Sequence, residues 1–364
     1  MQAFSLKSAY GDLLLATSPE IEEFFEGAPL LSGSIRVTNR CNLNCLHCYA
    51  FHNYEGRELT TGEVISLINA FSDLGSFRIF LTGGEPFLRD DLLSIVEKVN
   101  NRIKIYISTN GTLLTDNIIK RLSKLAIGSF QFSIDGIGRT HDELRGHPGI
   151  FQKTMACLEK AVKMLGNVGI STVLTRYNQN EVADIIHLAE SLGCAFFQLT
   201  FLHFSGRATK EQDVSLEEKI RIVNQLKKLN DTLNLTISVA APPPFAINDE
   251  DAFLCTFPYI LGVDANGDVA PCDGLLHLKE KVIGNIKEKL LAEIWETSPL
   301  LARLRSIGPK QLKGICSQCI MKEFCGGGCR AAAFLAYGDF TSPDPLCQEA
   351  FEKGLFPRQY KGGT

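Results

Sequence analysis

Short β-rich runs alternate with longer amphipathic segments over residues 34–230. The runs are SIRVTN (34–39), RIFLTG (78–83), KIYIST (104–109), FQFSID (130–135), GISTVLT (169–175) and FFQLTF (196–201). Segments between them, such as TGEVISLINAFSDLG, repeat apolar residues at helical spacing. Alternation of strand and helix favours a parallel sheet with right-handed crossovers. Six units are too few for a closed eight-stranded barrel, so the pattern predicts an α/β fold built on an open, partial (β/α)6 barrel.

Small or polar residues lie at or just past the ends of five of these predicted strands. They are Asn39, Gly83, Ser108, Asp135 and Thr175. The carboxyl ends of parallel strands meet at one edge of a sheet, and ligands bind there in open α/β folds. The sequence therefore predicts a ligand site at this edge.

The alternation stops in residues 231–254, where one strand-like run precedes Pro242, Pro243 and Pro244. Three prolines cannot continue a helix or a central strand, so we expect a linker here. Residues 255–350 are rich in Gly and Cys around one predicted helix, KEKLLAEIWETSPLLARLRSI, and predict a small α+β domain. Residues 1–33 are expected to form an N-terminal extension, and residues 351–364 a frayed tail.

Composition narrows the class of protein. The 364 residues are 45% hydrophobic and 21% charged, with a net charge of −4. The sequence has no basic stripe, so we expect no nucleic-acid partner. We find neither a signal peptide nor an uncharged apolar run of membrane-spanning length. These features predict a cytoplasmic protein with no membrane partner.

Twelve cysteines are unusual for such a chain. Disulfide frameworks are typical of short exported proteins, whereas clustered cysteines in a reducing compartment more often bind metal. Cys157 and Cys194 lie in apolar, helix-like stretches, and we expect them to pack in the core. The other ten lie in or near two groups.

The first group, Cys41, Cys45 and Cys48, has the spacing C-x3-C-x2-C directly after the first predicted strand. Three thiolates on one loop can hold three irons of a [4Fe–4S] cube and leave the fourth iron open, whereas such clusters usually have four cysteine ligands. A zinc site would need a fourth ligand such as His47 or His52. The spacing alone leaves both possibilities open, together with thiols that bind nothing.

The surrounding motifs extend the pattern. CNLNCLHCY resembles the signature of the radical S-adenosylmethionine (SAM) family, with His47 in the slot that is usually aromatic. TGGEP (82–86), STNG (108–111) and SIDG (133–136) follow in the family's order. The resemblance implies SAM bound at the open iron. It also implies these cofactor contacts: His47, Gly83, Gly84, Glu85, Pro86, Ser108, Asn110, Ser133, Asp135 and Arg145.

Physical chemistry supports several of these assignments. Gly83 and Gly84 permit close approach of the backbone to a ligand. Glu85 would place negative charge near a positively charged ligand, and Arg145 could bind a carboxylate through two hydrogen bonds. Taken singly, Glu85 is equally consistent with a solvated loop carboxylate, and Arg145 with a surface salt bridge.

The second group, Cys316, Cys319, Cys325 and Cys329, reads C-x2-C-x5-C-x3-C. Cys255 and Cys272 precede it and Cys347 follows it. Paired C-x2-C motifs also fit a zinc ribbon, but seven cysteines exceed the needs of one zinc site. The whole pattern resembles the SPASM domain, a module that holds auxiliary [4Fe–4S] clusters.

That resemblance implies two auxiliary clusters, and so three [4Fe–4S] clusters in the chain. Cys316, Cys319, Cys325 and Cys347 would ligate one cluster completely. Cys255, Cys272 and Cys329 would hold the other. No further cysteine follows Cys255 before Cys272, so the fourth ligand is expected to be open or not a cysteine. Asp273 and a substrate group are the candidates.

The family resemblance implies an enzyme that cleaves SAM reductively and abstracts hydrogen through a 5′-deoxyadenosyl radical. A ferredoxin or flavodoxin would supply the electron. SPASM relatives mostly modify peptides or proteins, so we expect a peptide substrate. Because about 33 residues precede the barrel, a peptide substrate would need a separate leader-recognition protein or no leader at all.

Three alternatives remain. FLHFSGRA (201–208) and CGGGCRA (325–331) resemble tetrapyrrole-modifying relatives, in which case His203 and Arg207 would contact substrate. His203 is equally consistent with a packed histidine at a strand end. A non-catalytic iron–sulfur electron carrier or a zinc-stabilised binding module would leave TGGEP unexplained.

Overall fold

The computed structural model describes residues 5–8, 11–14, 29–51, 56–247 and 257–362. His52 and Cys255 lie outside these ranges. Twelve strands occur in the described part of the chain: β1 Ser5–Ser8, β2 Gly11–Leu14, β3 Ser32–Thr38, β4 Arg78–Gly83, β5 Lys104–Thr109, β6 Ile127–Ser133, β7 Val168–Leu174, β8 Phe196–Phe201, β9 Thr236–Ala240, β10 Ile260–Val263, β11 Asp268–Ala270 and β12 Gly284–Asn285. Strands β1 and β2 form an antiparallel pair, and the other ten form one sheet.

The predicted run of parallel strands is confirmed. Strands β3 to β8 lie side by side in chain order, and every neighbouring pair is parallel. Every residue of β3 is buried, as expected for a strand with both faces covered. The central strands therefore bring their carboxyl ends to one edge of the sheet.

Helices connect and cover the strands. They are α1 Thr61–Asp73, α2 Leu92–Val99, α3 Asp116–Leu122, α4 Arg139–Arg145, α5 Ile150–Met164, α6 Val182–Ser191, α7 Leu216–Asn230, α8 Leu291–Thr297, α9 Pro299–Arg305, α10 Gly314–Gln318, α11 Lys322–Cys325, α12 Arg330–Tyr337 and α13 Pro345–Glu352. Helix α1 begins with a capping box in which Thr60 and Glu63 satisfy each other's backbone N–H groups. No helix among the described residues is long and apolar enough to cross a bilayer.

The segment expected to be a linker contributes a strand. Residues Thr236–Ala240 form β9, which pairs in parallel with β8 and buries Ile237 and Val239 completely. The three prolines do end this strand, because Pro243–Phe245 continues as a 3-10 helix. The sequence pattern indicated a strand in this segment but did not show that it would pair with β8.

The cysteine-rich region also joins the sheet. Strand β10 pairs in parallel with β3, while β11 and β12 add antiparallel strands beyond it. The first barrel strand therefore lies between β4 of the barrel and β10 of the cysteine-rich region.

The expected single helix near residue 290 is two helices. Helix α8 ends at Thr297, and α9 starts at Pro299 after an extended Ser298. The Ser298 hydroxyl accepts a hydrogen bond from the Leu301 N–H group, which caps α9. Proline has no N–H to continue the first helix but suits the first turn of the second.

Candidate functional site

The first cysteine group lies on the loop that follows β3. Cys41 is exposed, Cys48 is half-buried and Cys45 is buried. Burial raises the pKa of the Cys41 thiol to about 11 and also raises the pKa of Cys45. Both thiols therefore stay protonated at neutral pH without a cation, and metal binding would have to displace their protons.

The glycines at the end of β4 hold this loop closely. Gly83 has a φ of +145°, and a Cβ on Gly84 would lie 2.1 Å from the Arg40 carbonyl oxygen. The N–H groups of Gly84 and Glu85 donate to the carbonyls of Thr38 and Arg40, each at 2.8 Å. The two glycines thus allow β4 to pack against the residues just before Cys41.

Glu85 links the ends of two neighbouring strands. Its carboxylate is completely buried. It accepts hydrogen bonds from the Thr109 hydroxyl at 2.7 Å and from the N–H groups of Asn110 at 2.8 Å and Phe87 at 3.2 Å. Burial raises its pKa. Glu85 therefore braces the ends of β4 and β5, while Pro86 is buried at the start of a 3-10 helix.

Asn110 connects β5 to the cysteine loop. Its side-chain N–H donates to the Asn42 side-chain oxygen at 2.9 Å, and Asn42 donates in turn to the Thr112 hydroxyl at 2.9 Å. Because Asn42 directly follows Cys41, this pair fixes the conformation of the loop between Cys41 and Cys45.

Two amide side chains near Ser108 link strands β5, β6 and β8. Its hydroxyl donates to the Gln131 side-chain oxygen at 3.0 Å, and Gln131 donates to Gln198 at 2.7 Å. Sequence reasoning identified Ser108 and Ser133 but missed both glutamines. Strand alternation was the available signal, because Gln131 and Ser133 are two residues apart and share one face of β6.

Asp135 lies at the centre of a buried charge network. Its Oδ2 atom lies 2.9 Å from His47 Nε2 and 2.5 Å from an Arg145 terminal nitrogen. The other Arg145 terminal nitrogen donates to Cys45 Sγ at 3.7 Å. Burial by itself would raise the pKa of Asp135, but Arg145 and His47 hold it below its usual value. Asp135 therefore remains a carboxylate.

Two polar atoms of this network have no partner. Among the described residues, Arg145 Nε and His47 Nδ1 are buried and make no hydrogen bond. Burying an unpaired polar atom is costly, so a ligand carboxylate oxygen at Arg145 Nε and a ligand hydroxyl at His47 Nδ1 would satisfy these two nitrogens beside Cys45. Arg145 was expected to bind a ligand carboxylate. It pairs with Asp135 through a terminal nitrogen, and its Nε–H remains available to donate to a ligand.

The second cysteine group, taken from here on to include Cys347, borders a cavity. Four thiols line it, those of Cys316, Cys319, Cys325 and Cys347. Burial raises the pKa of all four, and that of Cys325 reaches about 12. Within the described ranges, no three His, Cys, Asp or Glu side chains are arranged around a single metal ion. The four cysteine sulfurs instead lie around the cavity, in an arrangement that does not suit a single ion.

Glycines and one aspartate shape this cavity. Gly326, Gly327 and Gly328 all have positive φ, which explains the glycine run between Cys325 and Cys329. The Gly328 N–H group donates to Cys325 Sγ at 3.1 Å.

Sequence reasoning missed Asp344, which links two cysteine-bearing segments. One of its oxygens accepts from the Cys329 N–H group at 2.9 Å, and the other accepts from the N–H groups of Leu346 and Cys347 at 3.0 and 3.4 Å. An aspartate before Pro345 at a helix start was the available signal.

Cys272 and Cys329 belong to a separate small core. Both are half-buried and pack against a cluster that includes Leu275, Ala331 and Phe340. Cys255, expected to join them, lies outside the described residues. The cysteines predicted to hold the third cluster thus have only two described members.

Asp273, a candidate fourth ligand of the cluster expected at Cys272 and Cys329, uses its carboxylate in hydrogen bonds to other residues. Its Oδ1 atom accepts from Arg36 Nε at 3.0 Å, and its Oδ2 atom accepts from the Tyr49 hydroxyl at 2.6 Å. Tyr49 follows Cys48 and Asp273 follows Cys272, so these hydrogen bonds join the two cysteine-bearing regions directly.

The candidate substrate residues after β8 also contact the cysteine loop. The Arg207 guanidinium lies 4.2 Å from the centre of the Phe51 ring, and its backbone N–H donates to the Cys48 carbonyl at 2.9 Å. His203 lies near Tyr49, with ring centroids 6.2 Å apart. The expected core residues are confirmed, since Cys194 is buried and Cys157 packs against the main core.

Two family models match this chain. The model of the radical SAM superfamily matches residues 35–189, and the model of the SPASM iron–sulfur cluster-binding domain matches residues 255–320. The first range contains the first cysteine group and the Asp135 network. The second begins at Cys255 and includes Cys316 and Cys319.

Similar proteins act on two kinds of substrate. An AdoMet-dependent heme synthase from Methanosarcina barkeri is 32% identical over 85% of this chain and 94% of its own length. A PqqA peptide cyclase from Bradyrhizobium diazoefficiens is 25% identical over 86% of this chain and 84% of its own. The crystal structure of Streptococcus suis SuiB with its precursor peptide SuiA has the same fold, with a TM-score of 0.74 and 18% identity over 91% of this chain and 79% of that one.

Proposed function

This chain belongs to the radical SAM enzymes with a SPASM iron–sulfur domain, and we propose that its substrate is a tetrapyrrole. The observation that carries the proposal is the similarity to the M. barkeri heme synthase, which extends over most of both chains. FLHFSGRA and CGGGCRA, the two segments that resemble tetrapyrrole-modifying relatives, support it. Both segments border the cysteine regions described above.

The residues around the first cysteine group fit SAM. Cys41, Cys45 and Cys48 would hold three irons of a [4Fe–4S] cluster. The unpartnered Nε of Arg145 suits the carboxylate of an amino-acid ligand. When bound at the reduced cluster, SAM supplies a 5′-deoxyadenosyl radical that abstracts hydrogen from a substrate carbon.

The protein's contribution is to orient the cofactor and keep the charges fixed. Asp135 holds Arg145 in place through a buried ion pair that bulk water would weaken, and its carboxylate also contacts His47 Nε2. Glu85 and Asn110 fix the loops on either side of the cysteines. A site preorganised in this way needs little rearrangement when the cofactor binds.

The C-terminal cysteines would hold two auxiliary clusters, three clusters in all. Cys316, Cys319, Cys325 and Cys347 supply four thiolates around one cavity, which suits a fully ligated cluster. Cys272 and Cys329, with Cys255, would hold the other. A ferredoxin or flavodoxin would reduce the first cluster, and the cytoplasm is the compartment that keeps so many thiols reduced.

Peptide modification is the second candidate function. The similarity to the PqqA peptide cyclase favours it, as does the fold shared with peptide-bound SuiB. Such a substrate would come with a separate leader-recognition protein or without a leader. We rank it second because identity to the heme synthase is higher.

Anaerobic reconstitution tests the proposal. The chain is loaded with iron and sulfide, reduced with dithionite, and incubated with SAM and tetrapyrroles that carry propionate side chains. We expect release of 5′-deoxyadenosine together with a mass change in the tetrapyrrole. Release of 5′-deoxyadenosine with a mass change only in an added peptide would favour the second candidate, and no release at all would contradict both.

A further inference from the structure

His203 is held with one ring nitrogen hydrogen-bonded. Its Nδ1 atom lies 3.3 Å from the Ser205 hydroxyl oxygen, and that hydroxyl donates to the Tyr49 carbonyl at 3.1 Å. A hydroxyl has one hydrogen, so Ser205 can only accept from His203. The proton of a neutral His203 ring is therefore on Nδ1, and Nε2 carries an unshared electron pair.

Nε2 has no hydrogen-bond partner in the described part of the chain, although it is buried. A Cβ placed on Gly274 would lie 3.1 Å from the ring at Nε2 and 3.6 Å from the Ala331 side chain. Gly274 lies two residues after Cys272, and Ala331 lies two residues after Cys329. The free electron pair is therefore buried beside both cysteine-bearing segments.

The carboxylate of Asp273, a charged group near this ring, forms its hydrogen bonds with other residues. Both carboxylate oxygens of Asp273 accept hydrogen bonds from Arg36 and Tyr49. Burial, together with His277 and Arg36, lowers the pKa of His203 to about 4, although Asp273 opposes the shift. The imidazole is consequently neutral at physiological pH, the form that binds metals.

The chemistry of this arrangement suits iron. Histidines that bind metals usually donate their other ring N–H to an oxygen, as His203 does to Ser205. Histidine replaces cysteine on iron in Rieske clusters, so an imidazole is an established ligand for iron–sulfur iron. A buried imidazole nitrogen with an unused electron pair is otherwise a costly feature.

We infer that His203 Nε2 is the non-cysteine ligand of the auxiliary cluster held by Cys272 and Cys329. The inference rests on the proposed function, which assigns a cluster to these cysteines. It makes no use of the position of Cys255, which is outside the described ranges. Asp273, the ligand considered from the sequence, would instead position Arg36 and Tyr49.

Pulsed electron paramagnetic resonance on the reduced holoenzyme, without SAM, tests this inference. Labelling histidine with ¹⁵N should change a nitrogen coupling large enough for a directly bonded ligand. The same coupling should disappear in His203→Cys and persist in His277→Gln, a matched change at a neighbouring histidine. The Cys45→Ala background removes the first cluster, so the remaining signal comes from the auxiliary clusters.

Replacing imidazole with thiolate should also lower the midpoint potential of one auxiliary cluster, since histidine ligation raises cluster potentials. Iron content, measured on the chain with Cys45 intact, separates the possible failures. About twelve irons per chain without a histidine coupling would overturn the assignment of His203 and leave the three clusters intact. About eight irons would remove the cluster itself and the inference with it, while 5′-deoxyadenosine release would still report separately on the radical chemistry.

Discussion

The two described cysteine sites differ in how their sulfurs are surrounded. Around the first group, Cys41 is exposed and Cys45 receives a hydrogen bond from the charged Arg145. Around the second group, Cys316 and Cys347 are buried, and Cys325 receives its hydrogen bond from a backbone N–H group. The first site is partly open and contains a buried ion pair, whereas the second is lined by four thiols, with Lys322 at its edge and the Asp344 carboxylate beside it.

This difference matches two requirements on a metal site. A site that must admit a ligand keeps a coordination position open, whereas a structural site supplies all its ligands from protein. Three thiols beside unpartnered nitrogens of Arg145 and His47 meet the first requirement. Four thiols around one cavity meet the second. We therefore expect changes in the two sites to affect different measured quantities.

Cys45→Ala should have the largest effect. It removes one of the three proposed iron ligands, so release of 5′-deoxyadenosine from SAM should fall to the background of the cluster-free protein. Cys194→Ala is the matched control, because Cys194 is also buried but lies in the main core. It should keep full iron content and SAM cleavage. Release by Cys45→Ala at the wild-type rate would show that Cys45 holds no catalytic iron.

Cys325→Ala should separate the second site from the first. Iron content should drop by about four atoms per chain, and thermal stability should fall because the cavity loses its cluster. SAM cleavage should continue, since the first cysteine group is unchanged. Iron analysis and a 5′-deoxyadenosine assay on one preparation check both points. Loss of SAM cleavage with an intact first cluster would mean that the two sites are not independent.

Asp135→Asn should destabilise the first site by leaving Arg145 and His47 without their carboxylate. Breaking a buried ion pair costs about 3 kcal/mol, measured as the free energy of unfolding. Because the pKa of Asp135 is depressed in the fold, its stabilisation is present at neutral pH and is lost only as pH falls below about 4. Glu143→Gln, which breaks an exposed pair with Arg139, should change little. Equal effects of the two changes would contradict the assignment.

Tyr49→Phe should have the smallest effect, because it removes one hydrogen bond between the two cysteine regions. The loss of the bond to Asp273 should cost about 1 kcal/mol of stability. Tyr177→Phe removes an exposed hydroxyl that bonds only to Arg176 among the described contacts, and it should be neutral. A neutral Tyr49→Phe would indicate that the ion pair of Arg36 with Asp273 is enough to hold the regions together.

Local sequence patterns predicted the strands and the cysteine groups of this protein, but they did not predict which distant segments contact each other. The six barrel strands and both cysteine groups depend on spacing along the chain, so they could be found in the sequence. The pairing of β10 with β3 joins segments more than 200 residues apart, and no local pattern specifies it. The same holds for the bond between Tyr49 and Asp273. Glu85 stands in the TGGEP motif of the sequence, but only the fold showed that its carboxylate is buried.

Electron–nuclear double resonance with SAM labelled by ¹⁵N at its amino group tests the central claim most directly. That claim is that the cluster at Cys41, Cys45 and Cys48 leaves one iron for the cofactor. On the reduced holoenzyme we predict a ¹⁵N coupling from a nitrogen bonded to iron, absent in Cys45→Ala. An intact first cluster that shows no such coupling with SAM at saturating concentration would contradict the account.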